Sequence, residues 1–163
     1  NAIDLLQLNE DSRIEASLIN AGNPTVFIRA RDVGLTGTEL PVQLNSPELL
    51  QKIERIRQIG AWKMGLVKQP EKDMAVCVRI FSMGILHGAF TGTGAIAVGI
   101  AAFINDSIVA QHCSAQSDMV RVGHPSSLLL TGGRLDASGK QAVAASLTRT
   151  ARRLMDGYVY ITI

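Results

Sequence analysis

Two patterns of hydrophobic residues divide the chain into predicted strands and helices. Residues Arg13 to Asn20 alternate between apolar and polar, and the β-rich run Thr25 to Ile28 follows a turn at 22–24, so a pair of strands is predicted here. Residues 31–41 carry glycines and a proline and are predicted to form a loop. Further strands are predicted over 74–81, 107–113, 119–122, 128–130, 143–150 and 158–163, with turns at 132–133 and 138–139.

Two stretches with different hydrophobic patterns predict helices of different kinds. Ser46 as N-cap, Pro47 at the first helical position and the acid Glu48 mark the start of an amphipathic helix over about 47–65. Gly94 to Asn105 is apolar on every side, which predicts a buried helix. Strands dominate and regular βαβ alternation is absent. We therefore expect an α+β fold with a mixed curved sheet wrapped around the apolar helix, and the amphipathic helix outside it.

Composition narrows the class of protein. The 163 residues are 47% hydrophobic and 18% charged, which suits one folded domain over 1–163. The longest apolar run is too short to cross a membrane, and we expect neither a signal peptide nor a membrane partner. A net charge of +2, scattered basic residues and few aromatic residues also argue against a nucleic-acid partner.

The cysteines indicate neither a disulfide framework nor a metal site. Cys77 falls in an apolar stretch typical of a core, and two cysteines favour a reducing cytosol. Cys113 follows His112, but no second Cys or His stands at metal-ligand spacing, so no metal is expected.

The glycine-rich stretch Thr91-Gly92-Thr93-Gly94 runs directly into the apolar helix. A helix N-terminus with bare backbone N–H groups favours an anion. No lysine follows the glycines as in a P-loop, and the third glycine of a dinucleotide-binding pattern is displaced, so a carboxylate is a better candidate than a nucleotide phosphate. The alternative is that these glycines only permit a tight turn from strand to helix.

Four stretches, taken in order, resemble the PrpF family, which includes methylaconitate isomerases and 4-oxalomesaconate tautomerases. They are NAGNPTVFIRARDVGLTGTELP, SMGILHGAFTGTGAIAVG, VGHPS and RTARRLMDGYV. The resemblance implies a diaminopimelate-epimerase-like fold of two similar domains, each a sheet around a central helix, with the active site in the cleft between them. This chain resembles the C-terminal half. The resemblance therefore implies that the partner is an N-terminal sister domain or a second copy in a homodimer. The link over 68–73 is shorter than is usual in the family.

The resemblance also implies a reaction. Such enzymes move a C=C bond by proton transfer in an unsaturated di- or tricarboxylate, with no cofactor. His87 is the candidate for proton transfer, because imidazole exchanges protons near neutral pH. The candidates for substrate binding are Asn23, Ser82, Met83, Gly84, Thr91, Gly92, Thr93 and Gly94.

Each candidate also has a structural interpretation. Asn23 before a proline is an ordinary turn residue, Met83 is typical of a core and Ser82 of a strand end. His87 is also compatible with a buried, hydrogen-bonded histidine, and His124 with the lining of a cleft. The basic cluster Arg149 to Arg153 either attracts an acidic substrate or forms a solvated edge. A non-catalytic carboxylate-binding or interaction module remains the alternative function.

Overall fold

A computed structural model of the chain describes residues 2–64, 74–76, 79–82, 85–86, 90–113, 118–124 and 127–161. The described strands form two sheets. The first has six strands in chain order: β1 (Asp4–Gln7), β2 (Arg13–Asn20), β3 (Pro24–Ile28), β4 (Met74–Val76), β5 (Arg79–Ser82) and β6 (Ile85–Leu86). It is mixed, because β3 and β4 run parallel while the other neighbours are antiparallel. The second is antiparallel, with strands β7 (Met119–His124), β8 (Ser127–Leu135) and β9 (Ala142–Leu147).

Helix α1 (Pro47–Lys63) lies on the outer side of the first sheet. Its start was predicted at Pro47 and is confirmed, with the Ser46 Oγ accepting a hydrogen bond from the Leu49 N–H at 3.2 Å. The apolar face buries Ile53 and Ile56 in a core cluster shared with β1, β2 and β3. The opposite face is polar, so the predicted amphipathic outer helix is confirmed.

Helix α2 (Gly92–Ala101) lies between the two sheets. Its side chains share one buried cluster with Ile19 and Phe27 of the first sheet and with Val120 and Val122 of the second. Gly99 permits this close packing, because a Cβ there would lie 2.6 Å from the Thr131 Oγ1 and 3.0 Å from the Gly132 carbonyl oxygen. The α+β class and the buried apolar helix are therefore confirmed, but the described strands divide into two sheets where one was expected.

Residues 107–113 were predicted to form a strand, and that prediction is wrong. The chain makes turns and a 3₁₀-helix at Ala110–His112. The buried Ser107 hydroxyl donates to the Ala101 carbonyl at 2.6 Å and accepts from the Ala110 N–H at 3.0 Å. Such side-chain bonds to nearby backbone compete with strand pairing.

Other predicted boundaries also change. The stretch 74–81 is two antiparallel strands, β4 and β5, and the predicted 31–41 loop begins in a 3₁₀-helix at Ala30–Val33 and ends at a second at Pro41–Leu44. The predicted turn at 132–133 is wrong, since both glycines lie inside β8, where a Cβ at Gly132 would lie 2.1 Å from the Asp118 carbonyl oxygen. Strand β1 was not predicted, and residues 158–161 form no strand. The turns at 22–24 and 138–139 are confirmed, with Gly22 at φ +82° and Gly139 at φ +69°.

None of the helices in the described part of the chain is long and apolar enough to cross a membrane.

Candidate functional site

The glycine-rich stretch is the first turn of α2. Thr91 is the N-cap, in extended conformation (φ −71°, ψ 150°), and its Oγ1 accepts a hydrogen bond from the Gly94 N–H at 3.0 Å. The first intrahelical bond runs from the Ala95 N–H to the Thr91 carbonyl at 2.9 Å. The helix therefore begins two residues before the predicted start at Gly94, and it ends at Ala101, where Asn105 was predicted.

This turn has the features that favour an anion. The first N–H groups of any α-helix lack intrahelical backbone acceptors, and here the Thr91 Oγ1 accepts from that of Gly94. The N–H groups of Gly92 and Thr93 are thus left to an acceptor from outside the helix. The first turn contains no acidic side chain, so the positive end of the helix dipole is not offset by the helix itself. Gly92 is half-buried and Thr93 is exposed, which gives a ligand access.

An arginine lies against the turn. A Cβ on Gly92 would be 3.1 Å from the Arg149 Nη2 and 3.5 Å from the Leu147 Cδ2, so the guanidinium sits beside the helix start. Arg149 follows β9, far from Gly92 in sequence. Sequence reasoning left the basic cluster 149–153 undecided between substrate attraction and a solvated edge. The structure shows that one member of the cluster reaches the candidate anion site, which no local pattern indicates.

A stacked aromatic pair lies next to the cap. The Phe90 and His124 rings are 6.2 Å apart between centroids, with their planes inclined by 23°. Phe90 is buried directly before Thr91, and His124 is the last residue of β7. The His124 imidazole is therefore held near the start of α2. The histidine suggested as a cleft-lining residue thus lies in the same region as the glycines.

The structure describes the other predicted site residues less completely. Asn23 is half-buried in the turn between β2 and β3, and its carbonyl accepts from the Thr25 Oγ1 at 3.1 Å. Ala21, two residues earlier, packs against the cluster that contains Phe90. Ser82 is the last residue of β5, and its side chain is not described. Met83, Gly84 and His87 lie outside the described residues.

The two cysteines lie away from this turn in sequence. Cys113 is a half-buried free thiol, and burial raises its pKa. Cys77 lies outside the described residues. Within the described ranges, no group of three or more His, Cys, Asp and Glu side chains is close enough to hold a metal ion.

Sequence comparison finds relatives that carry isomerase names. A 2-methyl-aconitate isomerase of Shewanella oneidensis is 37% identical over 195 residues, which cover 99% of this chain and 49% of the relative. A 3-methylitaconate isomerase of Eubacterium barkeri is 32% identical, over 99% and 51%. A (4E)-oxalomesaconate Delta-isomerase of Novosphingobium sp. is 33% identical, over 99% and 48%. The chain spans about half the length of these relatives.

The Shewanella match also shows a difference within the aligned region. It extends over 195 residues and this chain has 163, so at least 32 positions of the relative have no counterpart here. The two matches to the family model overlap at residues 70–75. This overlap includes part of the link at 68–73, which is shorter than is usual in the family.

Comparison of structures agrees with the sequence matches. The crystal structure of a methylitaconate-delta-isomerase superposes with a TM-score of 0.82 at 30% sequence identity, covering 98% of this chain and 49% of that one. The sequence model of the PrpF protein family matches residues 1–75 and 70–162, which is nearly the whole chain. The chain therefore belongs to the PrpF family.

Proposed function

We propose that this chain is the carboxylate-binding C-terminal half of an isomerase that moves a C=C bond in an unsaturated di- or tricarboxylate. The observation that carries the proposal is the capped N-terminus of α2. The N–H groups of Gly92 and Thr93 are at this helix start, and the Arg149 guanidinium lies beside it. The isomerase names of the relatives support the reaction class. They cover the substrates methylaconitate, methylitaconate and oxalomesaconate, all unsaturated carboxylates.

In the proposed reaction, a base removes a proton from the carbon next to the double bond. The electron pair left behind spreads through the allylic system into a substrate carboxylate, and a proton is then added at the other end of that system. Both steps need no cofactor. The charge on the carboxylate rises in the intermediate, so fixed donors such as the Gly92 and Thr93 N–H groups stabilise it more than the ground state. We assign proton transfer to His87 and substrate contacts to Asn23, Ser82, Met83, Gly84 and Thr91 as well.

A partner unit is part of the proposal. Residues 1–163 form one domain of the diaminopimelate-epimerase-like type, and its site is completed by an N-terminal sister domain or by a second copy. The exposed apolar residues at the end of the described chain support a partner: Leu154, Met155, Tyr158, Val159, Tyr160 and Ile161 are each at least 80% exposed. Exposed clusters of apolar residues often mark interaction surfaces. Light scattering should show a dimer when no sister domain is present.

The test is hydrogen exchange in heavy water. The chain is incubated with cis-aconitate and related unsaturated polycarboxylates, and deuterium incorporation is followed by proton NMR. We expect incorporation above a control without protein, lost in His87→Gln and strongly reduced in Gly92→Val. The matched control is Gly157→Val, because a Cβ there has no neighbour within 4 Å. Equal exchange in the wild type, Gly92→Val and Gly157→Val would contradict the assigned site.

The alternative function is a non-catalytic module that binds a carboxylate or a partner protein. The observation that favours it is that the chain spans about half of each relative. The same samples separate the two functions. Saturable aconitate binding that needs Gly92, without any deuterium incorporation, supports the binding module. Incorporation after addition of a separately produced N-terminal half of a relative supports the half-enzyme.

A further inference from the structure

A cavity of about 250 Å³ lies beside α2, further along the helix than the glycine turn. Val98, one of its lining residues, is four residues past Gly94, roughly 6 Å further along the helix axis. The cavity is bounded by β3, β7, α2 and the segment that follows α2. Its apolar walls are formed by Phe27, Ile28, Val98, Ile108, Val109 and Val122.

A buried arginine with an unsatisfied donor forms part of the wall. The Arg29 side chain is only 11% exposed, and its Nη1 lies 2.5 Å from the Glu15 Oε2. Its Nη2 donates to the Gln111 Oε1 at 2.8 Å. The Arg29 Nε–H is buried and has no acceptor within the described part of the chain. Buried donors normally have partners, so this one indicates a group that the described residues do not supply.

A second arginine lines the cavity from β7. Arg121 is exposed and makes no ion pair or side-chain hydrogen bond with any described residue. The described lining contains no Asp or Glu, while Glu15 is engaged by Arg29. The cavity therefore combines apolar walls with uncompensated positive charge at an exposed edge. Apolar cavities with a few polar anchors are typical of small-molecule sites.

We propose that this cavity binds a small monocarboxylate with a short apolar chain, a site separate from the isomerase site and independent of the proposed function. Its volume equals that of about eight water molecules in the liquid, which suits a chain of about six carbons. The carboxylate meets Arg121, and the chain lies along Phe27, Val98 and Val122. The apolar side chains of the wall offer no partner for the further charges of a di- or tricarboxylate.

The experiment is an NMR titration of the 163-residue chain with hexanoate, read from the valine methyl groups. We expect saturable shifts at Val98, Val109 and Val122. The apparent Kd should be about ten-fold weaker in Arg121→Gln, because one charge-assisted contact is lost. The matched control, Arg134→Gln, removes an exposed and equally unpaired arginine of β8 and should leave the Kd unchanged.

Two ligand controls complete the test. 1-Hexanol has the same chain without the charge and should bind about ten-fold more weakly than hexanoate. Excess cis-aconitate should not displace hexanoate, because the polycarboxylate is assigned to the turn at Gly92. The proposal is overturned if the three valines show no saturable shift, if hexanol or the Arg121→Gln variant matches the wild-type affinity for hexanoate, or if aconitate competes. None of these results depends on whether the chain is an isomerase.

Discussion

The two helices of this chain begin with the same cap and differ in what surrounds it. In α1 the Ser46 Oγ accepts from the Leu49 N–H at 3.2 Å, and in α2 the Thr91 Oγ1 accepts from the Gly94 N–H at 3.0 Å. The first turn of α1 carries its own acid, Glu48, which offsets the helix dipole. The first turn of α2 carries no acid and has Arg149 beside it instead.

This difference shows how one capping device serves two purposes. The start of α1 is complete within its own sequence and has no need of a ligand. At the start of α2, the helix dipole and the Arg149 guanidinium both contribute positive potential. Gly92 has no side chain there, so the backbone N–H groups are open to a ligand. An anion is therefore favoured at α2 and not at α1, although a capping residue precedes both helices.

The largest expected effect is on ligand binding at α2. Replacing Gly92 by valine places a side chain between the backbone N–H groups and the ligand, and against Arg149. Losing two charge-assisted hydrogen bonds should cost about 3 kcal/mol, which is about 100-fold in Kd for cis-aconitate. Calorimetry on Gly92→Val and on the α1 variant Glu48→Gln checks this, and unchanged affinity in Gly92→Val would rule out the anion site.

A stability difference between the helices comes next. Gly99→Ala should destabilise the chain by about 2 kcal/mol, since the new Cβ meets the Gly132 backbone and the Thr131 hydroxyl of β8. Gly60→Ala in α1 meets side chains and no backbone, with the Val26 Cγ2 at 2.6 Å, and the gain in helix propensity of about 1 kcal/mol offsets part of the strain. Urea unfolding of both variants measures the difference. Equal costs would mean that α2 is packed no more tightly than α1.

Removing the N-cap side chain should lower the free energy of unfolding by the same amount in the two helices. Ser46→Ala and Thr91→Ala each remove one N-cap acceptor, and each should lower the free energy of unfolding by about 1 kcal/mol. Only Thr91→Ala should also weaken aconitate binding, because Thr91 is assigned a contact with the substrate. Unfolding curves and calorimetry on the same two proteins separate these roles. If Thr91→Ala binds aconitate normally, the hydroxyl acts only as a cap.

The smallest expected effect is on pH dependence. The hydrogen bond from Arg57 holds the pKa of the Glu54 carboxyl below its ordinary value of 4.5. Because the folded-state pKa is lowered, the pair stabilises the fold above pH 4.5, and this contribution is lost as the pH falls below that value. Solvent screening keeps it well under about 1 kcal/mol. Thermal melts between pH 3 and 7 should be flatter for Glu54→Gln, whereas α2 has no titratable side chain to contribute.

Local chemistry explains what could be predicted from the sequence. The start of α1, the buried apolar character of α2, the strands β2 and β3 and the turns at 22–24 and 138–139 all follow from residues within a few positions of one another. The glycine-rich stretch was predicted to lie at a helix N-terminus, which is a local feature and is confirmed, while its role as an anion site stays a prediction. The four stretches that resemble the PrpF family are confirmed by the family match.

Contacts between distant residues decided the rest. Gly132 and Gly133 were predicted to form a turn, yet they lie in β8 because α2 and the Asp118 carbonyl approach them closely. In the stretch 107–113, predicted as a strand, the Ile108 N–H donates to the Ser17 Oγ of β2 at 2.9 Å, a bond between residues far apart in sequence.

The sequence by itself determined the presence of the two described α-helices, the cap of α1 and the family of this protein, since propensity, capping and motif order are encoded in neighbouring residues. Only the tertiary structure placed Arg149 beside Gly92 and closed a cavity between β3 and β7. The physical reason is that charge complementarity and close packing depend on distances through space, which residues far apart in the chain acquire only when the sheets enclose α2.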